Sequence, residues 1–77
     1  MIFSYVRDRK RRKIGVVCAM DPHMVGWSAC KKGDRFDCEK GLEIAAGRAL
    51  NGSNANPPRS FRVDIDNMHD RSVRYFK

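Results

Sequence analysis

The sequence contains no apolar run long enough for a signal peptide or a membrane-spanning helix, because polar or charged residues interrupt every hydrophobic segment. We therefore expect no membrane association. The three cysteines are an odd number and cannot all pair within one chain, which favours a reducing, cytoplasmic environment. A chain of 77 residues has no room for a second core, so we predict a single small basic domain over residues 1–77.

Motifs for catalysis and cofactor binding are also missing. The sequence has no nucleophile elbow, P-loop or dinucleotide-binding glycine pattern. The sequence has four residues of types that can bind zinc, Cys18, His23, Cys30 and Cys38. Their spacings lack the closely spaced ligand pairs of small zinc sites. A reactive thiolate would need a positioned base, which a lysine nearby in sequence does not supply. We predict no enzymatic activity, no metal site and no cofactor.

Acidic residues are scarce relative to basic ones. There are 16 lysines and arginines against 9 aspartates and glutamates, which gives a formal net charge of +7. A surplus of this size on a small body attracts polyanions such as nucleic acid, an anionic membrane or an acidic protein surface. Because no lipid-anchoring motif is present, stable attachment to a membrane is not expected.

Three segments have the composition of β-strands, at residues 2–7, 14–20 and 24–30. In the first segment, successive side chains point to opposite faces of the strand, and Phe3 and Tyr5 share one face. The second is apolar on both faces, as is typical of a central strand. A charged connection precedes the second strand and a proline turn follows it, so we predict an antiparallel three-stranded meander.

Two segments, 36–50 and 62–76, have the 3.6-residue period of amphipathic helices and are separated by a polar, proline-containing loop at 51–60. In the first helix, Gly41, Ala45 and Ala49 form a ridge of small side chains, and we expect Trp27 to lie above it. The apolar face that includes this ridge comprises Cys38, Gly41, Leu42, Ala45, Ala46, Ala49 and Leu50. Asp34 and Asp37 are alternative N-caps of this helix.

The predicted fold class is α+β, a three-stranded antiparallel meander followed by two amphipathic helices in the order β-β-β-α-α. Each helix has one apolar face, so the simplest burial packs both helices on one face of the sheet and leaves the other face partly open. An exposed first strand would also be able to pair edge to edge with a second copy and form a homodimer.

Residues 7–13, which read RDRKRRK, carry the strongest local charge. Five adjacent bases repel one another and exceed what solubility requires, so we favour a phosphate-contacting hairpin over a passively solvated tip or a nuclear import signal. The candidate binding residues are Arg7, Arg9, Lys10, Arg11, Arg12, Lys13, Lys31 and Lys32. Tyr5 and Trp27 would stack on bases if they faced the open side of the sheet, although core packing is favoured for Trp27.

The run GWSAC, the residues Asp34, Phe36 and Gly41, and the IAAGRA stretch at 44–49 resemble a small family of tailed-bacteriophage accessory proteins of the early, host-takeover type. In that family a Gly-Trp-Ser strand leads into a Gly-x-x-Ile-Ala-x-Gly-Arg helix. The long basic tip and the loop at 51–60 depart from the family pattern. The resemblance implies expression in an infected bacterial cytoplasm and a role toward DNA, RNA or a host protein that acts on them.

Two functions follow as predictions. The first is a non-catalytic protein that binds DNA or RNA through phosphate contacts from residues 7–13. The second is an inhibitor or adaptor that docks the same basic surface on an acidic host protein, for example a nucleic-acid-processing enzyme.

Overall fold

The computed structural model describes residues 1–22, 24–30, 35–51 and 57–76. Three strands form one antiparallel sheet in the order β1-β2-β3, and two helices follow. The elements are β1 (Ile2–Arg7), β2 (Lys13–Asp21), β3 (Met24–Ala29), α1 (Cys38–Asn51), a short 3-10 turn (Arg59–Phe61) and α2 (Arg62–Tyr75). The α+β class and the order β-β-β-α-α are therefore confirmed.

The central strand β2 is apolar on both faces, and each face has its own core. Val17 and Ala19 point to one face, where they pack with Ile2, Val6, Val25 and α2. Val16 and Cys18 point to the other face, where they pack with Ala45 and Ala49 of α1. All four of these β2 residues are fully buried, which requires a covering layer on each side of the sheet.

The two helices consequently lie on opposite faces of the sheet, which corrects the expectation that both would pack on one face. The physical reason is the two-sided apolar character of β2. Covering only one face would leave one valine and one smaller side chain of β2 exposed to water, and burial of the valine alone contributes about 1.5 to 3 kcal/mol.

Helix α1 packs closely on β3 at Gly26. A Cβ atom at this position would overlap the Ala45 carbonyl oxygen and would lie 2.5 Å from the Ala49 backbone nitrogen. Gly41 lies farther toward the start of α1, where Ser28 Oγ donates a hydrogen bond to its carbonyl oxygen at 2.7 Å. The ridge of small residues thus faces the sheet as expected, but the residue beneath it is Gly26.

Trp27 lies on the opposite face, against α2, which corrects the expectation that it covers the ridge. Its ring meets the Phe61 ring edge to face at 6.0 Å. From α1, Arg48 lies with its guanidinium carbon 4.5 Å from the Trp27 ring centroid and donates to the Trp27 carbonyl oxygen at 2.8 Å. Because consecutive strand residues point to opposite faces, the ridge contacts Gly26 and Ser28 and the intervening Trp27 points away.

The ends of the two helices differ from their predicted positions. Helix α1 begins at Cys38, two residues after the expected start, because the Asp37 carboxylate caps it by accepting from Lys40 N at 3.1 Å. The alternative cap, Asp34, lies outside the described residues. Leu50 is exposed and does not join the apolar face, since it lies beyond the end of the sheet contact at Ala49.

The sharpest test of α1 packing compares two glycines. Gly26→Ala should lower the free energy of unfolding by about 1 to 3 kcal/mol or more, because the added methyl meets backbone atoms that cannot rotate away. Gly47→Ala is the control. A Cβ at Gly47 meets nothing within 4 Å, so alanine should stabilise the helix by up to about 1 kcal/mol. Urea denaturation followed by circular dichroism measures both, and equal stabilities would contradict the close α1–β3 packing.

Candidate functional site

The basic segment forms the connection between β1 and β2, and Asp8 holds its backbone. One Asp8 carboxylate oxygen accepts from the backbone N–H groups of Lys10 and Arg12, both at 2.9 Å. The other oxygen accepts from Arg12 Nε at 3.1 Å. Backbone hydrogen bonds from Arg11 N to Asp8 O and from Asp8 N to Arg12 O close the loop. We call residues 7–13 the basic hairpin.

The hydrogen bonds to Asp8 also set its ionisation. They lower the pKa of its carboxyl below the ordinary value of 3.8, first through the backbone N–H of Arg12 and then through the Arg12 side chain and the Lys10 backbone. Asp8 is therefore ionised at neutral pH and retains its role as acceptor. The single acid of this segment organises the loop that presents the bases.

The loop has one residue in a left-handed conformation, Arg11, with φ of 62°. Arg7 Nη1 donates to the carbonyl oxygen of Arg11 at 3.0 Å and so bridges the base of the loop to its tip. The left-handed backbone conformation of a non-glycine residue destabilises the folded state by roughly 1 kcal/mol, so the hydrogen bonds around the loop must offset that cost. The tip is consequently a defined structure and presents its side chains outward.

The predicted binding residues divide into three groups. Arg7, Arg9, Lys10, Arg11 and Arg12 are exposed and lie together on the basic hairpin. Lys13 is half-buried, with its ammonium nitrogen 4.3 Å from the Tyr5 ring centroid. Lys31 and Lys32 lie outside the described residues. The residue before them, Cys30, donates its N–H to Ile14 O at 2.8 Å, so the chain leaves β3 at the hairpin end of the sheet.

Three further exposed arginines, Arg35, Arg59 and Arg62, lie near this end of the molecule and were not predicted from the sequence. Helix α1 starts here, just after Arg35 and close to Tyr5 of β1. The α2 layer also starts here, because Phe61 packs on Gly15. The other end of α2 lies at the β2–β3 turn, where Ser72 Oγ contacts Pro22 O at 3.4 Å. We call the hairpin end of the molecule the basic end.

Aromatic side chains line β1 beside the basic hairpin. Phe3 and Tyr5 share one face of the strand, with ring centroids 5.6 Å apart at 74°. Phe36 meets the other side of Tyr5 edge to face at 6.0 Å. The neighbouring Cys38 thiol raises the pKa of Tyr5, because hydrogen bonding to that thiol favours the neutral phenol. We call Phe3, Tyr5 and Phe36 the aromatic row.

A cavity of about 540 Å³ lies between the end of β3 and the start of α1. Its lining includes two cations, one carboxylate and a half-buried thiol. The lining residues are Ser28, Ala29, Cys30, Arg35, Phe36, Asp37, Lys40, Gly41 and Ile44. Asp37 is already engaged as the cap of α1, and the cavity adds the cations Arg35 and Lys40 to the basic end.

The cysteines do not assemble a metal site with other described residues. Cys18 is buried in the core, where burial raises the pKa of its thiol, while Cys30 and Cys38 are half-buried. Within residues 1–22, 24–30, 35–51 and 57–76, no three His, Cys, Asp or Glu side chains are grouped so as to hold a metal ion. His23, the fourth member of the set considered from the sequence, lies outside the described residues.

No protein-family model matches the chain, and no curated protein or solved structure is significantly similar to it. The resemblance to phage accessory proteins therefore stays a prediction. None of the helices in the described part of the chain is long and apolar enough to span a membrane.

Asp8→Ala should loosen the basic hairpin, because the amides of Lys10 and Arg12 lose their shared acceptor. We expect faster hydrogen exchange at these two amides by NMR and no change for Asp66→Ala, which alters an exposed carboxylate on α2.

Acid should have the same effect on the wild-type loop. Because the pKa of Asp8 is lowered by folding, its contribution is complete above the ordinary value of 3.8 and is lost as pH falls through the lowered pKa. The Lys10 and Arg12 amide resonances should titrate with a midpoint below 3.8. A midpoint at or above that value would contradict the assigned role of Asp8.

Proposed function

We propose that this protein binds nucleic acid without catalysing a reaction, and that its basic hairpin contacts backbone phosphates. The observation that carries the proposal is the set of exposed cations on a loop whose backbone Asp8 holds in place. Lysine and arginine side chains that contact phosphates supply most of the affinity in sequence-independent binding.

The order within the loop supports binding. Immobilising a flexible segment on association costs free energy for each side chain and backbone unit that is ordered. Here the backbone of the tip is already fixed by hydrogen bonds from Lys10, Arg11 and Arg12 to Asp8. Only the outward-pointing side chains need to adapt to the phosphates.

The surroundings of the hairpin extend the positive surface. Arg35, Arg59 and Arg62 are exposed near the basic end, and the net charge of +7 is high for 77 residues. Helices α1 and α2 both begin at this end, which places Arg35 just before α1 and Arg62 in the first turn of α2 at the same end as the hairpin. In line with the phage resemblance, the expected place of action is the cytoplasm of an infected bacterium.

A charge-matched pair of variants tests the proposal. Arg9→Gln with Lys10→Gln removes two bases from the hairpin, and Arg71→Gln with Arg74→Gln removes two exposed bases from the far part of α2. We expect the hairpin variant to bind DNA more weakly. Its plot of log affinity against log salt should also be flatter, by about 0.9 per lost phosphate contact on duplex DNA. The α2 variant should bind like the wild type.

Fluorescence anisotropy over a salt series measures both quantities. Equal weakening by the two variants would mean that net charge alone drives binding and that the hairpin is not the contact. If the wild type binds neither duplex nor single strands at low salt, the proposal fails. A stoichiometric protein partner recovered from nuclease-treated lysate would then favour docking on an acidic host protein.

A further inference from the structure

We infer that the nucleic acid bound at the basic hairpin is single-stranded, and that an unpaired base stacks on Phe3 while Lys13 neutralises the adjoining phosphate. This inference rests on the proposed function. It names the class of nucleic acid and adds Phe3 to the residues that contact it, with Tyr5 as the ring that supports Phe3.

The position of α1 leaves Phe3, one member of the aromatic row, accessible. Helix α1 lies over β3 and β2, and its contact with β1 is centred on Tyr5 near the start of the helix. Phe3, at the outer end of the aromatic row on the edge strand β1, is 40% exposed. A phenylalanine has no polar atom to offset this exposure, so its ring gains from contact with another flat apolar surface.

The aromatic row itself fixes the orientation of the exposed ring. Tyr5 packs edge to face against both Phe3 and Phe36. Tyr5 is thus held by Phe36 and in turn packs against the exposed ring of Phe3. A supported ring loses little conformational freedom when a base stacks on it.

Cations lie next to the row. The Lys13 ammonium is 4.3 Å from the Tyr5 ring centroid, at the junction between the row and the basic hairpin. This cation–π attraction is weak and the lysine side chain is flexible, so a phosphate can draw the ammonium away from the ring. Phosphate-binding cations and a stacking surface are therefore contiguous, as in proteins that bind single strands without sequence preference.

The same geometry disfavours a duplex as the preferred ligand. In a double helix the flat faces of the bases are covered by their neighbours, and only base edges and the backbone are accessible. A duplex could use the cations of the hairpin but would leave Phe3 exposed. An unpaired strand can use both.

The test compares a labelled oligo(dT), a labelled oligo(rU) and a labelled hairpin duplex by fluorescence anisotropy at one salt concentration. Wild-type protein should bind at least one single strand more tightly than the duplex. Phe3→Ala should weaken single-strand binding roughly 5- to 150-fold and leave duplex binding unchanged, since stacking on one aromatic ring contributes an affinity factor of that order. The two single strands distinguish DNA from RNA as the source of the unpaired bases.

Tyr75→Ala is the matched control, because Tyr75 is 62% exposed and lies at the end of α2, on the other layer of the molecule. It should leave all three affinities unchanged. Phe3→Leu keeps an apolar side chain at this position, so it distinguishes a loss of stacking from a loss of folding. It should weaken single-strand binding in the same direction, with an unchanged thermal melt.

Three outcomes would overturn the inference. The first is a duplex affinity equal to or above that of both single strands, and the second is a Phe3→Ala protein that binds single strands like the wild type. In either case the hairpin can still bind phosphates, so the proposed function stands. The third is a wild-type protein that binds none of the three ligands at low salt, and it removes the proposed function together with the inference.

Discussion

The close contact between α1 and β3 at Gly26 determines much of the remaining structure. Because the helix backbone rests directly on the strand there, α1 is drawn toward β3 and the centre of the sheet. A helix is about 10 Å wide and covers roughly two strands. The third strand, β1, is therefore left with an accessible face, on which Phe3 and Tyr5 lie. The close packing of α1 on β3 at one edge of the sheet thus leaves an accessible face on β1 at the other edge.

The sequence predicted the elements well because their signals are local. The two-residue alternation of the strands, the 3.6-residue period of the helices and the ridge at Gly41, Ala45 and Ala49 all depend on neighbouring residues. The opposite placement of the helices was also implied, because a strand apolar on both faces requires cover on both. The expectation that both helices pack on one face was wrong because it considered only the single apolar face of each helix. It did not consider that the two apolar faces of β2 both need to be covered.

The basic charge of the candidate site could be predicted from the sequence, but the spatial arrangement of its residues could not. Six of the eight predicted binding residues are described and lie on the basic hairpin or at its base. The role of Asp8 was missed because, in the sequence, a single acid among bases indicates only a lower net charge. Its role as a hydrogen-bond acceptor is visible only in the structure. Arg35, Arg59 and Arg62 were missed because they join the hairpin only through the direction in which each helix runs, and that direction depends on tertiary packing.

Both helices begin at the end of the sheet that carries the basic hairpin, and this parallel arrangement gives the molecule an electrical polarity along its length. A body about 38 Å long with the exposed bases of the basic hairpin at one end experiences a torque in the field of a polyanion. If the protein binds nucleic acid as proposed, this torque would orient it before contact, so that a larger share of encounters would begin with the basic end facing the polyanion. Salt would then reduce the rate of association far more than it increases the rate of dissociation.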